Sequence, residues 1–481
     1  MAAYDGLTAY DGLAAYDAVR RRVGEGLPAR RPSGSPTPRG SPGECPFRPR
    51  GSPAGPPVPP ATATPCRLRE GGRPPPPRGP VGATVRSKGG SGAGDDGTVS
   101  EEQTVCWSDG SGEERRALWR SESGTPPPKQ VLVADDRMNA DTAFRLACEG
   151  TSLLWRGDFH NARQLLGAMA RRVDRRPPKP GASPEQTFHF HRQAQSRRAR
   201  ILNMLLLPFD AGHVIPLRRA PDVRLACEQA YGQCHEPYVM SLRELQGVLG
   251  AGEWRRRGVR VPALGESITP HYGVFSPVRG EYVDLVAEAP LPSRGTAFDI
   301  GTGTGVLAAV LARRGVRSVV ATDLDARALA CARENIDRLG LSSTVEVRRA
   351  DLFPDGRASL VVCNPPWLPG RARTPLEHAV YDPGSRMLRG FLDGLPAHLE
   401  PGGEGWLVIS DLAERLGLRS RTELTDLFDR AGLTVVGRLD ARPLHSRAHD
   451  PADPLHSWRK AEVTSLWRLA VGPGAGLDPA P

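Results

Sequence analysis

The chain has 481 residues, of which 39% are hydrophobic and 25% charged, and its formal net charge is +10. No stretch approaches the roughly 18 uncharged apolar residues that a membrane-spanning helix requires, which excludes a transmembrane protein. The N-terminus lacks the basic and apolar segments of a secretory signal, so we expect a cytoplasmic protein. The eight cysteines are scattered without a Cys-x-x-Cys pair, which argues against a disulfide framework and against a cysteine-rich zinc site.

Composition divides the chain near Met138. Residues 1–137 are rich in Pro, Gly, Ser and Arg. Such a segment buries too little apolar surface to offset chain entropy, so we predict a disordered tail there and a second one over 473–481. Apolar residues at helical spacing over 138–265 predict a helical domain. It contains no known nucleic-acid-binding motif, and we assign it to substrate recognition by elimination.

The segment 266–472 alternates short apolar strands with amphipathic helices. TAFDI (296–300) and SVVATD (318–323) are typical of buried strands, and a helical pattern follows each of them. Strands that alternate with helices of 10–15 residues predict βαβ units, and hence an α/β fold with a doubly wound, mostly parallel sheet. The last two strands (434–443 and 462–471) follow each other without a predicted helix, which indicates a terminal hairpin.

The turn after the first of these strands is rich in glycine and reads Asp299-Ile-Gly-Thr-Gly-Thr-Gly305. A nicotinamide-binding turn has its third glycine five residues after its first, whereas the third glycine here comes four residues after the first. Asp323 ends the second strand, near the offset at which a carboxylate meets a ribose diol. The pattern favours a nucleotide-type ligand, and the acid-flanked turn suits a cationic nucleoside with a free amino acid group.

The tetrapeptide Asn364-Pro-Pro-Trp367 directly follows the fourth strand. A planar amino nitrogen is a poor nucleophile because its lone pair is delocalised. An Asn oxygen and a proline-peptide carbonyl can accept its two N–H bonds and hold the nitrogen in line with an electrophilic methyl group. Trp367 offers a face for stacking. A rigid turn leaving a strand is the alternative, but such a turn does not require Asn and Trp together.

Taken in order, DIGTGTG, ATDLD, RADLF and VVCNPPW resemble a class I S-adenosylmethionine-dependent methyltransferase. The resemblance covers residues 268–470 and is to the branch that methylates amino groups through an Asn-Pro-Pro-aromatic motif, here NPPW. That branch includes adenine-N6 DNA methyltransferases, ribosomal-RNA guanine-N2 methyltransferases and release-factor glutamine methyltransferases. The resemblance implies a Rossmann-like, seven-stranded sheet and S-adenosyl-L-methionine as the cofactor, without a metal.

The resemblance also implies the roles of single residues. Asn364 and Pro365 would hold the target amine, on a loop that Pro366 stiffens and with Trp367 stacked on the amine. Asp323 would take the ribose hydroxyls, and Asp351 either the adenine or the cap of the next segment. The implied cofactor-binding residues are Asp299, Gly301, Thr302, Gly303, Gly305, Asp323, Leu324, Asp351, Leu352 and Asn364. Two weaker candidates, Phe275 and Pro277, lie in a segment that would close over the cofactor.

The acceptor is open between two classes. Arginine clusters at 171–176, 192–200, 254–260 and 370–373 favour an exocyclic base amine of nucleic acid, RNA rather than DNA, unless they are merely solvated faces. The segment 381–395 is loosely similar to the glutamine methyltransferases, which favours a glutamine amide in a translation factor or ribosomal protein.

Two further alternatives are weaker. A non-catalytic module that binds cofactor or nucleic acid is disfavoured because every motif residue is present. A nicotinamide-dependent redox enzyme is disfavoured by the glycine spacing. His189 and His191 are two apart in a predicted helix, so their side chains point apart and do not indicate a metal site.

Overall fold

The computed structural model of the protein describes residues 103–109, 111–443 and 450–472. The predicted tails therefore lie largely outside the described residues. All described residues belong to one unit of the chain. No helix in this part of the chain is both long and apolar enough to cross a bilayer.

An N-terminal sheet of six strands has the order β1-β2-β6-β5-β4-β3. Its strands are β1 (Thr104–Ser108), β2 (Glu114–Trp119), β3 (Val131–Ala134), β4 (Ser152–Trp155), β5 (Leu205–Phe209) and β6 (Tyr238–Ser241). The helices of this region are α1 (Ala140–Glu149), α2 (Phe159–Asp174), α3 (Pro184–Leu202), α4 (Arg224–Tyr231) and α5 (Leu242–Arg257). Side chains from these helices pack on the sheet around Trp155, Phe209 and Tyr238.

The prediction of a purely helical domain over 138–265 is wrong, because β4, β5 and β6 lie inside it. Every residue of these three strands is buried. A short apolar run that is buried on both faces shows no alternation, so its pattern does not separate a strand from a buried helix segment. The predicted tail is also too long, since β1, β2 and β3 precede Met138.

The C-terminal sheet has seven strands in the order β11-β10-β9-β12-β15-β17-β16. They are β9 (Thr296–Ile300), β10 (Ser318–Asp323), β11 (Val345–Arg349), β12 (Ala358–Cys363), β15 (Leu399–Ser410), β16 (Leu433–Ala441) and β17 (Thr464–Val471). The first five run parallel, and β17 is antiparallel to both of its neighbours. The predicted α/β, doubly wound sheet is confirmed.

Helices cover both faces of this sheet, which is why its central strands β9, β10 and β12 are largely buried. They are α6 (Glu281–Glu288), α7 (Val306–Arg313), α8 (Ala326–Arg338), α9 (Arg386–His398), α10 (Leu412–Arg415), α11 (Arg421–Arg430) and α12 (His456–Ala461). One core surrounds Leu307 and Trp406, and the other surrounds Phe298 and Phe391. The short α12 lies between β16 and β17, so these strands pair antiparallel as predicted but are not directly connected.

Two short strand pairs complete the described fold. Strands β7 (Val259–Val261) and β8 (Glu266–Ile268) pair antiparallel between the two large sheets in the chain order. Strands β13 (Leu368–Pro369) and β14 (Tyr381–Asp382) pair in parallel just after the NPPW motif. The order of the seven-stranded sheet reverses between β9 and β12, so the carboxyl ends of these strands form the crevice in which such sheets bind ligands.

Candidate active site

A cavity of about 280 Å³ opens at the carboxyl ends of β9, β10 and β12. The predicted residues that line it are Asp299, Gly301, Thr302, Gly303, Asp323, Leu324, Asp351, Leu352, Asn364, Pro365, Pro366 and Trp367. Phe275 lines it as well, whereas Gly305 and Pro277 are absent from its described lining. The fold thus brings the glycine turn, which ends at Gly305, and the NPPW motif, which begins 59 residues later, to one cavity.

The glycine turn needs glycine at three positions for backbone reasons. Gly301, Gly303 and Gly305 have φ values of 72°, 55° and 80°, which L-residues with a Cβ adopt at a cost. A Cβ on Gly305 would lie 3.3 Å from the Cα of Ala332 in α8. Gly305 therefore acts through the packing of the turn on α8, although it does not line the cavity.

Asp299 organises the turn from inside the protein. Its Oδ2 accepts hydrogen bonds from the Thr302 hydroxyl at 2.6 Å and from the Ala308 backbone N–H at 3.0 Å. Burial raises the pKa of Asp299 to about 6, against the opposing effect of these two hydrogen bonds. Because Asp299 also lines the cavity, its carboxylate is placed to meet a cationic ligand group.

Asp323 is tied to the same turn. Its Oδ2 accepts from the Gly303 backbone N–H and its Oδ1 from the Asp325 backbone N–H, each at 3.0 Å. Burial also raises the pKa of Asp323. Asp351 differs, because it is exposed and forms an ion pair with Arg386 at 2.7 Å on the rim of the cavity.

The NPPW motif is held by a hydrogen bond within itself. The indole Nε1–H of Trp367 donates to Oδ1 of Asn364 at 2.8 Å. This bond fixes which end of the Asn364 amide is the acceptor. An amide oxygen has two lone pairs, so Oδ1 can accept a second hydrogen bond from a ligand in the cavity.

Arg279 packs on the indole ring of Trp367. Its guanidinium carbon lies 4.8 Å from the ring centroid, within the range of a cation–π contact. Arg279 is buried and forms ion pairs with Glu281 at 2.9 Å and with Glu462 at 3.0 Å. The Ser410 hydroxyl also donates to Glu462, at 2.6 Å.

Sequence reasoning missed Arg279 and several other lining residues. Arg279 lies in the segment predicted to close over the cofactor, but the sequence pattern there indicates only Phe275 and Pro277. Its partner Glu462 is 183 residues away, and no local pattern links the two. The other missed lining residues include His378, Met387, Leu412 and Arg459.

The described residues contain no group of three or more His, Cys, Asp and Glu side chains that could hold a metal ion. His189 is exposed and His191 is buried, both in α3. The site offers carboxylates, backbone amides, an oriented amide oxygen and an aromatic face. These groups bind and orient ligands, and none of them forms a nucleophile–base pair.

Comparison with known proteins identifies the C-terminal region. The methyltransferase small domain family matches residues 267–433. Over these residues the chain is similar to that family. The predicted resemblance to class I methyltransferases is thereby confirmed, and the strand order of the methyltransferase domain agrees with it.

Three relatives illustrate the range of this family. A release factor glutamine methyltransferase from Cereibacter sphaeroides is 36% identical over 186 residues, covering 34% of this chain and 66% of that protein. A ribosomal protein L11 methyltransferase from Pelotomaculum thermopropionicum is 46% identical over 72 residues, or 15% and 23% of the two chains. A tRNA1(Val) (adenine(37)-N6)-methyltransferase from Bacteroides fragilis is 38% identical over 97 residues, or 19% and 41%. The chain therefore spans 66% or less of each of these relatives.

S-adenosyl-L-methionine is the cofactor of this family of domains, and the residues present fit it. The positive-φ glycines let the backbone approach a ligand closely. Asp299 suits a cationic group, and Asp323 suits a diol. Gly301 and Gly303 line one cavity together with Asp299 and Asp323.

Proposed function

We propose that the protein is an S-adenosyl-L-methionine-dependent N-methyltransferase that acts on a planar amino nitrogen. The observation that carries this proposal is the Asn364 amide, which Trp367 orients at 2.8 Å in the same cavity as the glycine turn. An oriented amide oxygen selects an N–H donor as the acceptor of the methyl group, and it does so without acid–base chemistry.

The residues of the chain act by binding and orientation. The cofactor supplies an electrophilic methyl group when bound. Asn364 Oδ1 and the Pro365 carbonyl accept the two N–H bonds of the amine, which directs the nitrogen lone pair at the methyl carbon. Held by the glycine turn and Asp323, the cofactor would supply the methyl group to this nitrogen, and the surplus proton on the nitrogen would pass to water. Trp367 stacks on the planar group that carries the amine.

An exocyclic base amine of RNA or DNA is the acceptor that we favour, with RNA preferred. Positive charge is concentrated in residues 171–202, and Arg192 of this segment contacts the loop 370–382 beside the NPPW motif. The Bacteroides relative, which is named for adenine-N6 methylation of tRNA, supports the same class. A protein glutamine amide is the second candidate, because the Cereibacter relative is named for release factor glutamine methylation.

Two measurements test the proposal. Isothermal titration of the full chain should show binding of S-adenosyl-L-methionine and none of NADH. Labelled methyl groups should then enter a cell extract in a product that nuclease removes. Loss of the label to protease alone would transfer the assignment to the glutamine amide. Failure to bind S-adenosyl-L-methionine would overturn the proposal.

Replacing Trp367 with phenylalanine is expected to lower kcat while the affinity for S-adenosyl-L-methionine is unchanged. Phenylalanine keeps a ring beside Arg279 but removes the donor that orients Asn364. One such hydrogen bond contributes about 0.5–1.5 kcal/mol, so kcat should fall about threefold to tenfold. Trp119→Phe is the matched control, because it removes an indole hydrogen bond of 2.7 Å to Thr125 in the N-terminal region. Equal kcat values in the two variants would contradict the positioning role.

The affinity for S-adenosyl-L-methionine is expected to fall below about pH 6. Burial raises the pKa of Asp299 from its ordinary value of 3.8 to about 6, and raises that of Asp323 as well. A cationic ligand favours the ionised carboxylate, so below its pKa each such group can lower the affinity by up to about tenfold per pH unit. Isothermal titration between pH 5 and pH 8 measures this change.

The stability of the ligand-free protein should change in the opposite direction. The raised pKa favours the protonated form of Asp299 in the folded state. The stabilising contribution of Asp299 to folding is therefore fully present below pH 3.8 and is lost as the pH rises through about 6. Asp299→Asn keeps an acceptor oxygen for Thr302 and Ala308 but does not titrate. Its affinity should vary with pH only through Asp323, and an unchanged profile in this variant would exclude Asp299 as the titrating group.

A further inference from the structure

The positive charge of the chain is concentrated in one segment. Residues 171–202 contain nine of the 64 Lys and Arg residues but only two of the 54 Asp and Glu residues. The segment includes the end of α2 and the whole of α3. The rest of the chain is close to neutral, so the net charge of +10 arises mainly here.

We call four exposed arginines of this segment the α3 basic face: Arg171 and Arg176, at and just after the end of α2, and Arg197 and Arg200 in α3. The ion pair of Arg198 with Asp174, at 2.9 Å, places the end of α2 against the C-terminal half of α3. Within the described parts of the chain, none of the four arginines forms an ion pair. Their charge is thus available to a partner.

An exposed aromatic side chain lies beside these charges. Phe190 is 37% exposed, although it is a large apolar residue. It precedes Arg197 by seven residues, or two helical turns, so both side chains lie on the same side of α3. Arginines interspersed with an exposed aromatic ring are typical of surfaces that bind single-stranded nucleic acid, because the bases stack on the ring while the arginines contact phosphates.

The same helix is fixed to the acceptor side of the cavity. The Arg192 guanidinium stacks on the Tyr381 ring at 3.7 Å and donates to the Arg371 carbonyl at 2.9 Å. It also forms an ion pair with Glu377 at 3.4 Å. These three partners belong to the loop 370–382, which contributes His378 to the cavity lining. Arg192 and Arg197 are five residues apart in α3, so the basic face begins about 7–8 Å from Arg192 along the helix axis.

We propose that the α3 basic face binds the phosphate backbone of a single-stranded nucleic acid whose target base enters the cavity. The proposal rests on the N-methyltransferase function proposed above and assigns the substrate-binding surface to the N-terminal region. Exposed arginines that form no ion pair, beside one aromatic ring, match a polyanion whose bases can stack. RNA and DNA share the phosphate chemistry, and the experiment below distinguishes them.

The test uses the full chain and fluorescein-labelled 20-nucleotide RNA and DNA strands of the same sequence. The variant Arg197→Gln/Arg200→Gln should lower the affinity, measured by anisotropy at 0.1 M salt, about tenfold, because it loses two phosphate contacts. Each lost contact should also reduce the slope of log K against log salt concentration by about 0.7. Phe190→Ala should lower the affinity with little change in the salt dependence. Arg116→Gln/Arg317→Gln, which changes two exposed arginines outside the four arginine clusters, is the matched control and should bind like the wild type.

The outcomes separate this proposal from the one on which it rests. If neither strand binds, or if the two double variants lose affinity equally, the α3 basic face is not the binding surface. Methyl transfer to a protein acceptor would then leave the N-methyltransferase function intact. If the strands bind through α3 while S-adenosyl-L-methionine does not bind, the surface stands and the enzymatic proposal fails. Tighter binding of one strand identifies the nucleic acid.

Discussion

Replacing Asn364 with alanine is expected to lower the rate of methyl transfer at least about a hundredfold, as for loss of other preorganised hydrogen-bonding groups in active sites. The dissociation constant of S-adenosyl-L-methionine should stay close to that of the wild type, because the glycine turn and Asp323 are unaffected. The physical reason is that the amine loses the acceptor that directs its lone pair. Titration with cofactor and a single-turnover transfer assay on the same sample measure the two quantities.

Asn364→Asp is the informative companion variant. In the wild type, the indole nitrogen of Trp367 lies 2.8 Å from Oδ1 of Asn364. An aspartate carboxylate keeps an acceptor oxygen both for this indole N–H and for the substrate amine. This variant should therefore retain more activity than Asn364→Ala. Equal rates in the wild type and the alanine variant would show that Asn364 does not hold the amine. Equal loss of cofactor affinity in both variants would place Asn364 in cofactor binding instead.

The cofactor side of the site could be predicted from the sequence because its residues are local. Asp299 and the three glycines of the turn lie within seven residues, directly after a strand whose pattern is clear. The βαβ alternation brings Asp323 to the same edge of the sheet. Both features follow from chain geometry, and neither depends on the details of side-chain packing.

The acceptor side could be predicted only in part, because its residues come together through long-range packing. Arg279 reaches Trp367 only when Glu281 and Glu462 hold it, and Glu462 precedes the last strand of the sheet. Arg192 contacts the loop 370–382 from a different part of the chain, 185 residues before its partner Glu377. No sequence period marks such contacts, so α3 reads from sequence as an ordinary basic helix.

In the N-terminal region, the sequence predicts the amphipathic helices better than the buried strands. The amphipathic pattern around Leu165 predicts α2 well, because this helix buries one side. In contrast, Leu205–Phe209 continues the apolar run that ends α3, and the two are separated only by Asn203 and Met204. Without turn residues such as Gly or Pro between them, the helix and the strand merge into one helical pattern.

Replacing Gly305 with alanine is expected to destabilise the methyltransferase domain by about 2–4 kcal/mol. The first contribution is the positive φ of 80°, which costs an L-residue about 1–2 kcal/mol. The second is overpacking, because the new Cβ would lie 3.3 Å from backbone and side-chain atoms of Ala332, and α8 must move away. Urea denaturation measures the change in the free energy of unfolding.

The same variant should lower the affinity for S-adenosyl-L-methionine at least about tenfold, since a displaced α8 moves Asp323 relative to the Gly303 N–H that it now contacts at 3.0 Å. Gly340→Ala is the matched control. Gly340 has a φ of 67° at the end of the same helix, but its Cβ would meet no atom within 4 Å. The control should therefore lose only about 1–2 kcal/mol of stability and bind the cofactor normally. If the two variants proved equally stable and bound the cofactor equally, close packing of the turn on α8 would not be what shapes the site.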